Sequence, residues 1–346
     1  MNYPASKSST AAREEIPPLW RVDGNTLDLD NYVKYASQAN PRELDAPPST
    51  QGVAAIPSYA SLHARSLRVL HRLREEGGLE VPEASNPTDV LPVERITDLL
   101  LPGYLPLENG FCRDTSDGSL FVATLTHFPA CTGRMLQWWF TYCDASYKYR
   151  LWHPDDHVWC TWNEEYTASP VQERKAFHEV NNSHIVTEHL GKAFGHPVED
   201  LHIDFRCPSE YGFTASTCAA AGVQFIVTAR PHTANDRSLG HAAAGHMIHI
   251  ARELPDGSGL ELRSRFWVGK GARKLDCGLP PAFLVNMVSQ FAFVKSLLLP
   301  LSMGLQVFRH ASEEFRCLAE ILPALFEQEA APHWKNVSEA EHKVMK

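Results

Sequence analysis

The sequence predicts an α+β fold in which an antiparallel sheet is followed by a long C-terminal helix. Four β-rich segments lie between residues 202 and 268, and residues 255–259, which join the last two, have the composition of a hairpin turn. After Pro280 and Pro281 the pattern is helical to about residue 329, with an interruption or kink at Pro300. Strands that precede a terminal helix indicate separate β and α layers and not alternating β/α units.

The N-terminal part divides into an arm and a helical segment. Residues 1–55 are rich in Ser, Pro, Ala and charge and lack a sustained apolar period, which predicts a poorly ordered or loosely packed arm. Residues 56–94 form the helical segment, because leucines recur at near-helical spacing over residues 58–76, before Gly77 and Gly78. Its basic side chains are predicted to face solvent, with contact to an acidic partner as the alternative; they are Arg65, Arg68, Arg72 and Arg74.

Residues 95–330 form the predicted main domain, and residues 331–346 form a tail. At the start of this domain, residues 119–125 are β-rich and residues 129–142 have the length of a short helix. Residues 147–162 are aromatic and β-rich. The sequence contains no GxGxxG motif and no P-loop, so nucleotide-binding interpretations lose their main support.

Composition excludes several classes of partner. The formal net charge is −9 and the pI is about 6.0, so no basic field attracts nucleic acid or anionic lipid. The eight cysteines are scattered singly, which predicts reduced thiols, and the N-terminus lacks the apolar core of a secretory signal. Polar residues and Pro300 interrupt the most apolar stretch, residues 281–308, so a buried helix fits better than a membrane span. The protein is therefore predicted to be cytoplasmic, without nucleic acid or membrane as a partner.

Several of the 17 histidines stand four residues from another histidine or a glutamate. On a helix such pairs share a face and can bind one divalent metal ion. Only His310 and Glu314 lie in a clearly helical, apolar context, although the local sequence alone favours a solvent-facing pair. The other pairs are His153/His157, His184/Glu188 and His249/Glu253. Further ligands must come from distant segments, and periodicity does not choose among His153, His157, Glu164, Glu165, Glu188, His246 and His249.

A family resemblance narrows this choice. The segment MLQWWFTYCDASYKYRLWHPDDHVWCTW, residues 135–162, resembles the WWF…YKLWHP…H region of the 2,4-diacetylphloroglucinol hydrolases and the related phloretin hydrolases. Residues 103–112, 181–191, 245–269 and 308–319 resemble further pieces of the same family in the same order. The resemblance covers roughly residues 95–330. It implies a zinc-dependent hydrolase domain that cleaves the carbon–carbon bond between a phenolic ring and an acyl group.

The resemblance also implies roles for individual residues. The family's zinc ligands fall on His157, Glu188, His310 and Glu314, which are suitable residue types for Zn²⁺. Its catalytic positions fall on Tyr149 and His249, and His246 is the competing assignment for the histidine. Because side chains alternate along a strand, His246 and His249 are expected to point to opposite faces, so at most one of them lines a given pocket. His153 is then expected to be a supporting residue, and His184 and His189 are expected at the surface.

Two departures from the family bear on the substrate. Cys160 stands three residues after His157, where the family has an amide, and Phe266 stands where a pocket tyrosine is expected. Because a thiol is a poor hydrogen-bond donor, fewer polar contacts to ring hydroxyls are implied. The expected substrate is therefore less hydroxylated or bulkier.

The fold implied by the resemblance is a Bet v 1-like helix-grip, a curved antiparallel sheet around a long C-terminal helix, with an N-terminal extension. The cavity between sheet and helix would be lined by aromatic residues, with Trp138, Trp139, Tyr149, Trp159 and Phe266 as candidates.

The predicted function is zinc-dependent hydrolysis of a small-molecule phenolic ketone, with release of a carboxylic acid. His249 or Tyr149 would deliver a proton to the departing ring carbon. The alternatives are another metal-dependent reaction of a phenolic polyketide, by retro-aldol cleavage or cyclisation, and a non-catalytic carrier of an aromatic metabolite. The sequence leaves a homodimer open as an assembly.

Overall fold

A computed structural model of the chain describes residues 21–22, 25–26, 57–143, 145–162, 182–233, 244–270 and 291–330. The chain divides into two compact units, residues 1–61 and 62–346. In the first unit, β1 (Arg21–Val22) pairs antiparallel with β2 (Asn25–Thr26). The rest of the predicted arm, and the tail at residues 331–346, lie outside the described residues.

The second unit carries the sheet and most of the helices. In chain order the elements are α1 (Pro57–Glu75, which begins in the first unit), β3 (Gly110–Arg113), β4 (Leu120–Pro129), α2 (Gly133–Tyr142), α3 (Ser146–Trp152), β5 (His157–Trp162), β6 (Ser183–His189), β7 (Val198–Arg206), α4 (Ala215–Ala220), β8 (Val223–Thr233), β9 (His246–Glu253), β10 (Gly259–Val268), α5 (Ala292–Leu298) and α6 (Leu301–Glu329). Short 3₁₀ segments at Pro87–Asp89 and Val93–Leu100 precede β3.

Strands β3 to β10 form one eight-stranded antiparallel sheet, in the order β3-β4-β10-β9-β8-β7-β6-β5. Helix α6 packs against β3 and β4, and also against α2 and α3. The predicted hairpin joins β9 to β10, where Gly257 adopts a φ of 69° that favours glycine. The helical C-terminal region is interrupted at Pro300, between α5 and α6. The predicted α+β class with an antiparallel sheet and a C-terminal helix is confirmed.

Both faces of the sheet are buried, against different parts of the chain. Neighbouring residues of β4 point to opposite faces, so Val122 packs with Phe308 of α6 while Phe121 packs with Trp267 on the other face. That second face is covered by the segment before β3, where Leu91 accepts a hydrogen bond from the Trp267 indole (2.6 Å). The face turned toward α6 is therefore the one that can enclose a site between sheet and helix.

The structure corrects two expectations about local structure. Residues 147–162 were expected to be β-rich, but α3 occupies their first half and only β5 is a strand. Aromatic residues raise β-propensity only weakly, and here burial of Tyr149 and Trp152 on a helix outweighs it. The basic side chains of α1 were expected to face solvent, and Arg68 and Arg72 do. Arg65 instead pairs with Glu320 of α6, and Arg74 pairs with Glu313.

Among the described residues, no helix combines the length and the apolar character needed to cross a membrane.

A buried ion-pair cluster attaches the segment before β3 to β10. Glu108 accepts hydrogen bonds from Arg263 (Nη2 to Oε1, 2.5 Å) and from Arg265, and both guanidinium groups are buried. Burial would raise the pKa of Glu108, but the two guanidinium groups lower it overall. The other hydrogen bonds of the two arginines within the described residues go to backbone carbonyls.

Replacing Glu108 by glutamine is expected to lower the free energy of unfolding by about 3–5 kcal/mol, because two buried positive charges lose their counter-charge. Denaturant-induced unfolding measures the loss. Asp98→Asn is the matched control: it removes the Arg95–Asp98 pair, whose arginine side chain is 68% exposed, and is expected to cost less than about 1 kcal/mol. Equal losses in the two variants would contradict this account of the cluster.

Candidate metal centre and active site

His157 and Glu188 face each other across two neighbouring strands. In the register of β5 and β6, His157 stands directly opposite Glu188, so their side chains share one face of the sheet. The register shifts immediately after His157, and a bulge of this kind changes the direction of a side chain. Nε2 of His157 lies 3.7 Å from a carboxylate oxygen of Glu188.

Helix α6 brings the other two predicted ligands to the same place. His310 and Glu314 are one helical turn apart, and both are buried. Nε2 of His310 lies 3.8 Å from Glu188 and 4.0 Å from Glu314, while Nε2 of His157 lies 3.5 Å from Glu314. The ligand atoms of His157, His310 and Glu314 all lie within 4.8 Å of one another. The structure thus brings the four predicted ligands together.

The hydrogen bonds of the two histidines leave Nε2 available for a metal ion. Nδ1 of His157 donates to the Tyr149 carbonyl (2.9 Å), and its buried Nε2 has no hydrogen-bond partner among the described residues. Nδ1 of His310 donates to Asp156 (3.0 Å). A ring that donates through Nδ1 directs the lone pair of Nε2 at the ligand position, which is how metal-binding histidines are usually held. Two imidazoles and two carboxylates therefore fit a divalent metal ion such as zinc.

Burial and neighbouring charges shift the pKa values of the predicted ligands. Burial raises the pKa of Glu314 to about 8, with Glu188 adding to the effect, while His310 opposes it. Burial would lower the pKa of His310, but the carboxylates of Glu188, Asp156 and Glu314 outweigh it and raise the value to about 10. Burial lowers the pKa of His157 well below its usual range. Near pH 7 His310 and Glu314 therefore hold protons in the metal-free cluster, and a bound cation would displace them.

Asp156 is a supporting residue that the sequence analysis missed. Besides the bond to His310, its carboxylate accepts backbone N–H groups of Gly191 (3.0 Å) and Lys192 (2.9 Å), just after β6. Burial would raise the pKa of Asp156, but the charges of His153 and His310 and these hydrogen bonds lower it well below its usual range. Asp156 therefore links the segments that carry three of the four predicted ligands. The WHPDDH motif contains the residue, but nothing in that motif distinguishes its role.

A cavity of about 150 Å³ lies beside this cluster, and Glu188, His310 and Glu314 contribute to its wall. Its other walls are largely apolar and aromatic, and include Phe140, Trp152, Leu201, Phe205, Met247 and Phe266. A cavity of this volume can hold one benzene ring. The arrangement can accordingly place an aromatic ring next to a metal ion.

Comparison with known proteins identifies the family of this chain. The family described as "DAPG hydrolase PhiG domain" matches residues 91–327, a range that contains the four predicted ligands and the residues that line the cavity. The chain belongs to the DAPG hydrolase family. A phloretin hydrolase from Eubacterium ramulus is 27% identical over 221 residues, which cover 62% of this chain and 70% of the relative. The protein is therefore an enzyme, a hydrolase of carbon–carbon bonds.

In this DAPG hydrolase family member, Tyr149 contacts the predicted ligands directly. It lies on α3, its ring stacks on His157 with centroids 3.7 Å apart, and its hydroxyl donates to Glu188. Burial, together with the charge of Glu188, raises its pKa well above the usual value. Tyr149 also lines the cavity, so its phenol lies between the predicted metal centre and the position expected for the substrate.

Both candidate acid/base histidines contribute to the cavity wall, which differs from the expectation that only one would. His246 is the first residue of β9 and is half-buried, and its Nδ1 bonds to the Tyr211 hydroxyl (2.9 Å). His249 lies deeper, where its Nδ1 bonds to Ser264 (2.8 Å) and its ring centroid is 4.8 Å from that of Phe315. Burial lowers the pKa of His249 to about 3, so its imidazole is neutral near pH 7.

Several lining residues differ from those expected. Trp138 and Trp139 were expected to line the cavity, but they are core residues, because α2 is buried on more than one side and presents Phe140 to the cavity instead. Trp159 is half-buried and is not among the lining residues. Tyr149 and Phe266 do line the cavity. Cys160 does not, and its backbone N–H bonds to Ser146 (3.2 Å).

The expected surface positions of His184 and His189 are wrong. Both histidines are buried on β6, where His184 stacks on Trp162 with centroids 4.2 Å apart and His189 bonds to the His196 carbonyl (2.9 Å). The i, i+4 argument fails for His184 and Glu188, because they lie on a strand. Of the four such pairs, only His310 and Glu314 lie on a helix.

His153 and Glu199 complete the site. His153 is buried, accepts the Asp156 backbone N–H at Nδ1 (3.1 Å) and donates from Nε2 to Glu313 (3.1 Å), which is the supporting role expected. Glu199, missed by the sequence analysis, stands opposite Glu188 on β7 and lines the cavity. Burial raises the pKa of Glu199, and Glu188 adds to the effect.

Proposed function

We propose that this enzyme is a zinc-dependent hydrolase that cleaves the bond between a phenolic ring and an acyl group, releasing a carboxylic acid. The observation that carries the proposal is the convergence of two imidazole nitrogens and two carboxylates at the wall of an aromatic cavity. The relative named phloretin hydrolase supports a phenolic ketone as the substrate class.

His157, Glu188, His310 and Glu314 would hold the zinc ion. When bound, zinc would supply Lewis acidity toward a carbonyl oxygen and make a coordinated water more acidic. Asp156 and the Tyr149 carbonyl keep the two imidazoles in the tautomer that presents Nε2. Tyr149 donates to Glu188 and limits the ways in which that carboxylate can turn.

The remaining residues bind and protonate the phenolic ring. A ring carbanion is a poor leaving group, so the ring must first adopt a keto form in which the negative charge spreads to oxygen as an enolate. His249 is the first candidate for this step, because it lines the cavity and an imidazole can accept a hydroxyl proton and deliver a proton to the ring carbon. Tyr149 is the second candidate donor.

The largely apolar walls of the cavity favour a substrate with few ring hydroxyls. Phe266 presents an apolar edge to the cavity, its ring centroid 5.7 Å from that of His249. An acylphenol that forms few hydrogen bonds through its ring hydroxyls suits such walls best.

The wider assignment is also a proposal. It comprises a Bet v 1-like helix-grip, an N-terminal arm at residues 1–55, a helical segment at 56–94, the hydrolase domain at 95–330 and a tail at 331–346. We also propose that the protein is cytoplasmic and binds neither nucleic acid nor membrane. A homodimer is the assembly to be tested.

Product analysis tests the proposed reaction. The purified enzyme is expected to contain one zinc ion per chain by elemental analysis and to release equal amounts of carboxylic acid and phenol from an acylphloroglucinol. A panel that removes ring hydroxyls one at a time, or lengthens the acyl group, ranks the substrates by kcat/KM. Chelation should abolish turnover and added zinc should restore it. An aldehyde product would instead support retro-aldol cleavage, and tight binding without turnover would support a carrier.

A further inference from the structure

Helix α1 lies outside the residues that match the family, yet one of its side chains contacts two residues that directly precede Glu314 and Asp156. The family match begins at residue 91, whereas α1 ends at Glu75. We propose that Arg74 of α1 is a positioning residue for the metal centre, so that α1 is part of the active unit. This inference rests on the proposed function, because it concerns how the zinc ligands are held.

The first link is a two-point ion pair between Arg74 and Glu313. Nε of Arg74 donates to one carboxylate oxygen (3.0 Å) and Nη2 donates to the other (2.7 Å). The side chains are only 14% and 3% exposed, so water screens the pair weakly. Arg74 also pairs with Asp155 through Nη1. Its two partners directly precede Glu314 and Asp156 in the sequence.

The second link leads from Glu313 to a predicted ligand. Nδ1 of His153 accepts the Asp156 backbone N–H, so Nε2 carries the hydrogen that is donated to Glu313. The Asp156 carboxylate in turn accepts Nδ1–H of His310. The rings of His153 and His310 stack with centroids 5.1 Å apart and an angle of 6°. The hydrogen bonds of this path are 2.7–3.1 Å long and join side chains that are at most 14% exposed. The path ends at His310, whose Nε2 atom faces Glu188 and Glu314.

Loss of Arg74 would therefore disturb more than the packing of α1. Glu313 would keep its place in the interior with His153 as its remaining side-chain partner among the described residues. The carboxylate could then move toward other donors, which frees the His153 ring. Asp156 would be held less firmly against His310, and the orientation of the ligand would be less defined.

The same two helices supply a matched control. Arg65 of α1 pairs with Glu320 of α6 at 3.0 Å and also donates to the Glu320 carbonyl at 2.6 Å. This pair joins the same two helices as the Arg74 pair, but it is 31% and 40% exposed and lies two helical turns beyond Glu313. Among the described residues, the contacts of this pair do not lead to a predicted ligand. Arg65→Met therefore removes an α1–α6 contact without touching the metal centre.

The test measures zinc affinity of the full chain by competition with a chromophoric chelator. Arg74→Met is expected to weaken zinc binding about 10- to 100-fold, the range typical of residues that orient ligands. Arg74→Lys is expected to fall between that variant and the natural enzyme, since lysine keeps the charge but not the two-point geometry. Arg65→Met is expected to stay within about twofold of the natural enzyme. Thermal unfolding of the metal-free variants checks that each is folded.

Unchanged zinc affinity in folded Arg74→Met would overturn the proposal, and so would equal weakening by Arg65→Met. If Arg74→Met does not fold, the zinc affinities of Arg74→Lys and Glu313→Gln are compared with that of Arg65→Met in the same way. A natural enzyme that binds no zinc would instead overturn the proposed function. That outcome differs from zinc binding whose affinity does not change when Arg74 is replaced.

Discussion

Replacing Glu314 by glutamine is expected to remove zinc from the enzyme and to lower kcat/KM by about 10³-fold or more. The amide has no negative charge to offer the metal, and a bound metal ion typically contributes several kcal/mol to transition-state stabilisation, at about 1.4 kcal/mol per factor of ten. Elemental analysis gives the zinc content, and carboxylic acid release from an acylphenol gives the rate. His157→Ala, Glu188→Ala and His310→Ala are expected to behave alike.

Glu320→Gln is the matched control for this experiment. It makes the same chemical change on the same helix, at a partly exposed residue that pairs with Arg65. Zinc content and turnover should remain close to those of the natural enzyme. Full zinc occupancy in the Glu314 or Glu188 variant would remove that residue from the set of ligands.

Replacing His249 by alanine is expected to lower kcat by about 10²–10⁴-fold while zinc content stays unchanged. His249 contributes to the cavity wall, but within the described part of the chain it bonds to Ser264 and not to any of the four predicted ligands, so its loss should leave the metal in place. Its contribution is expected mainly in the transition state, which predicts a fall in kcat with little change in KM. Steady-state kinetics on one acylphenol measures both constants.

Two further variants separate the candidate proton donors. His246→Ala is expected to be much milder, because its ring nitrogen is engaged by Tyr211. Tyr149→Phe is expected to weaken substrate binding, and to lower kcat as well if the phenol stabilises the enolate. An inactive His246 variant beside a near-normal His249 variant would reverse the assignment. Normal turnover in both would leave Tyr149 or a water molecule as the proton donor.

The sequence predicted those features that depend on local periodicity. Helix α6, helix α1 and the hairpin between β9 and β10 each follow from spacing and turn composition that neighbouring residues alone supply. The pairing of His310 with Glu314 follows from helical geometry in the same way. His157 and Glu188 were chosen by family resemblance, because no local pattern shows that two strands will place them opposite each other.

The missed features depend on contacts between distant segments. Asp156 acquires its role from His310, which is 154 residues away, and Arg74 acquires its role from Glu313, 239 residues away. Neither contact produces a periodic pattern in the sequence. The assignment of Trp138 and Trp139 to the cavity failed for a related reason: which side of α2 faces the cavity is decided by the elements packed around it.

Strand β5 is the last strand in the order of the sheet, and among the described strands it pairs only with β6. A terminal strand opens locally at a lower free energy than strands in the middle of a sheet, and its amide hydrogens exchange correspondingly sooner. With zinc bound as proposed, His157 would be tied through the metal to α6, and local opening of β5 would require the metal to leave. A ligand at 100 times its dissociation constant adds about 2.7 kcal/mol to the state that binds it. In β5 and β6, amide protection would then depend on the concentration of free zinc. In β10, which lies in the interior of the sheet, amide exchange would depend chiefly on global unfolding.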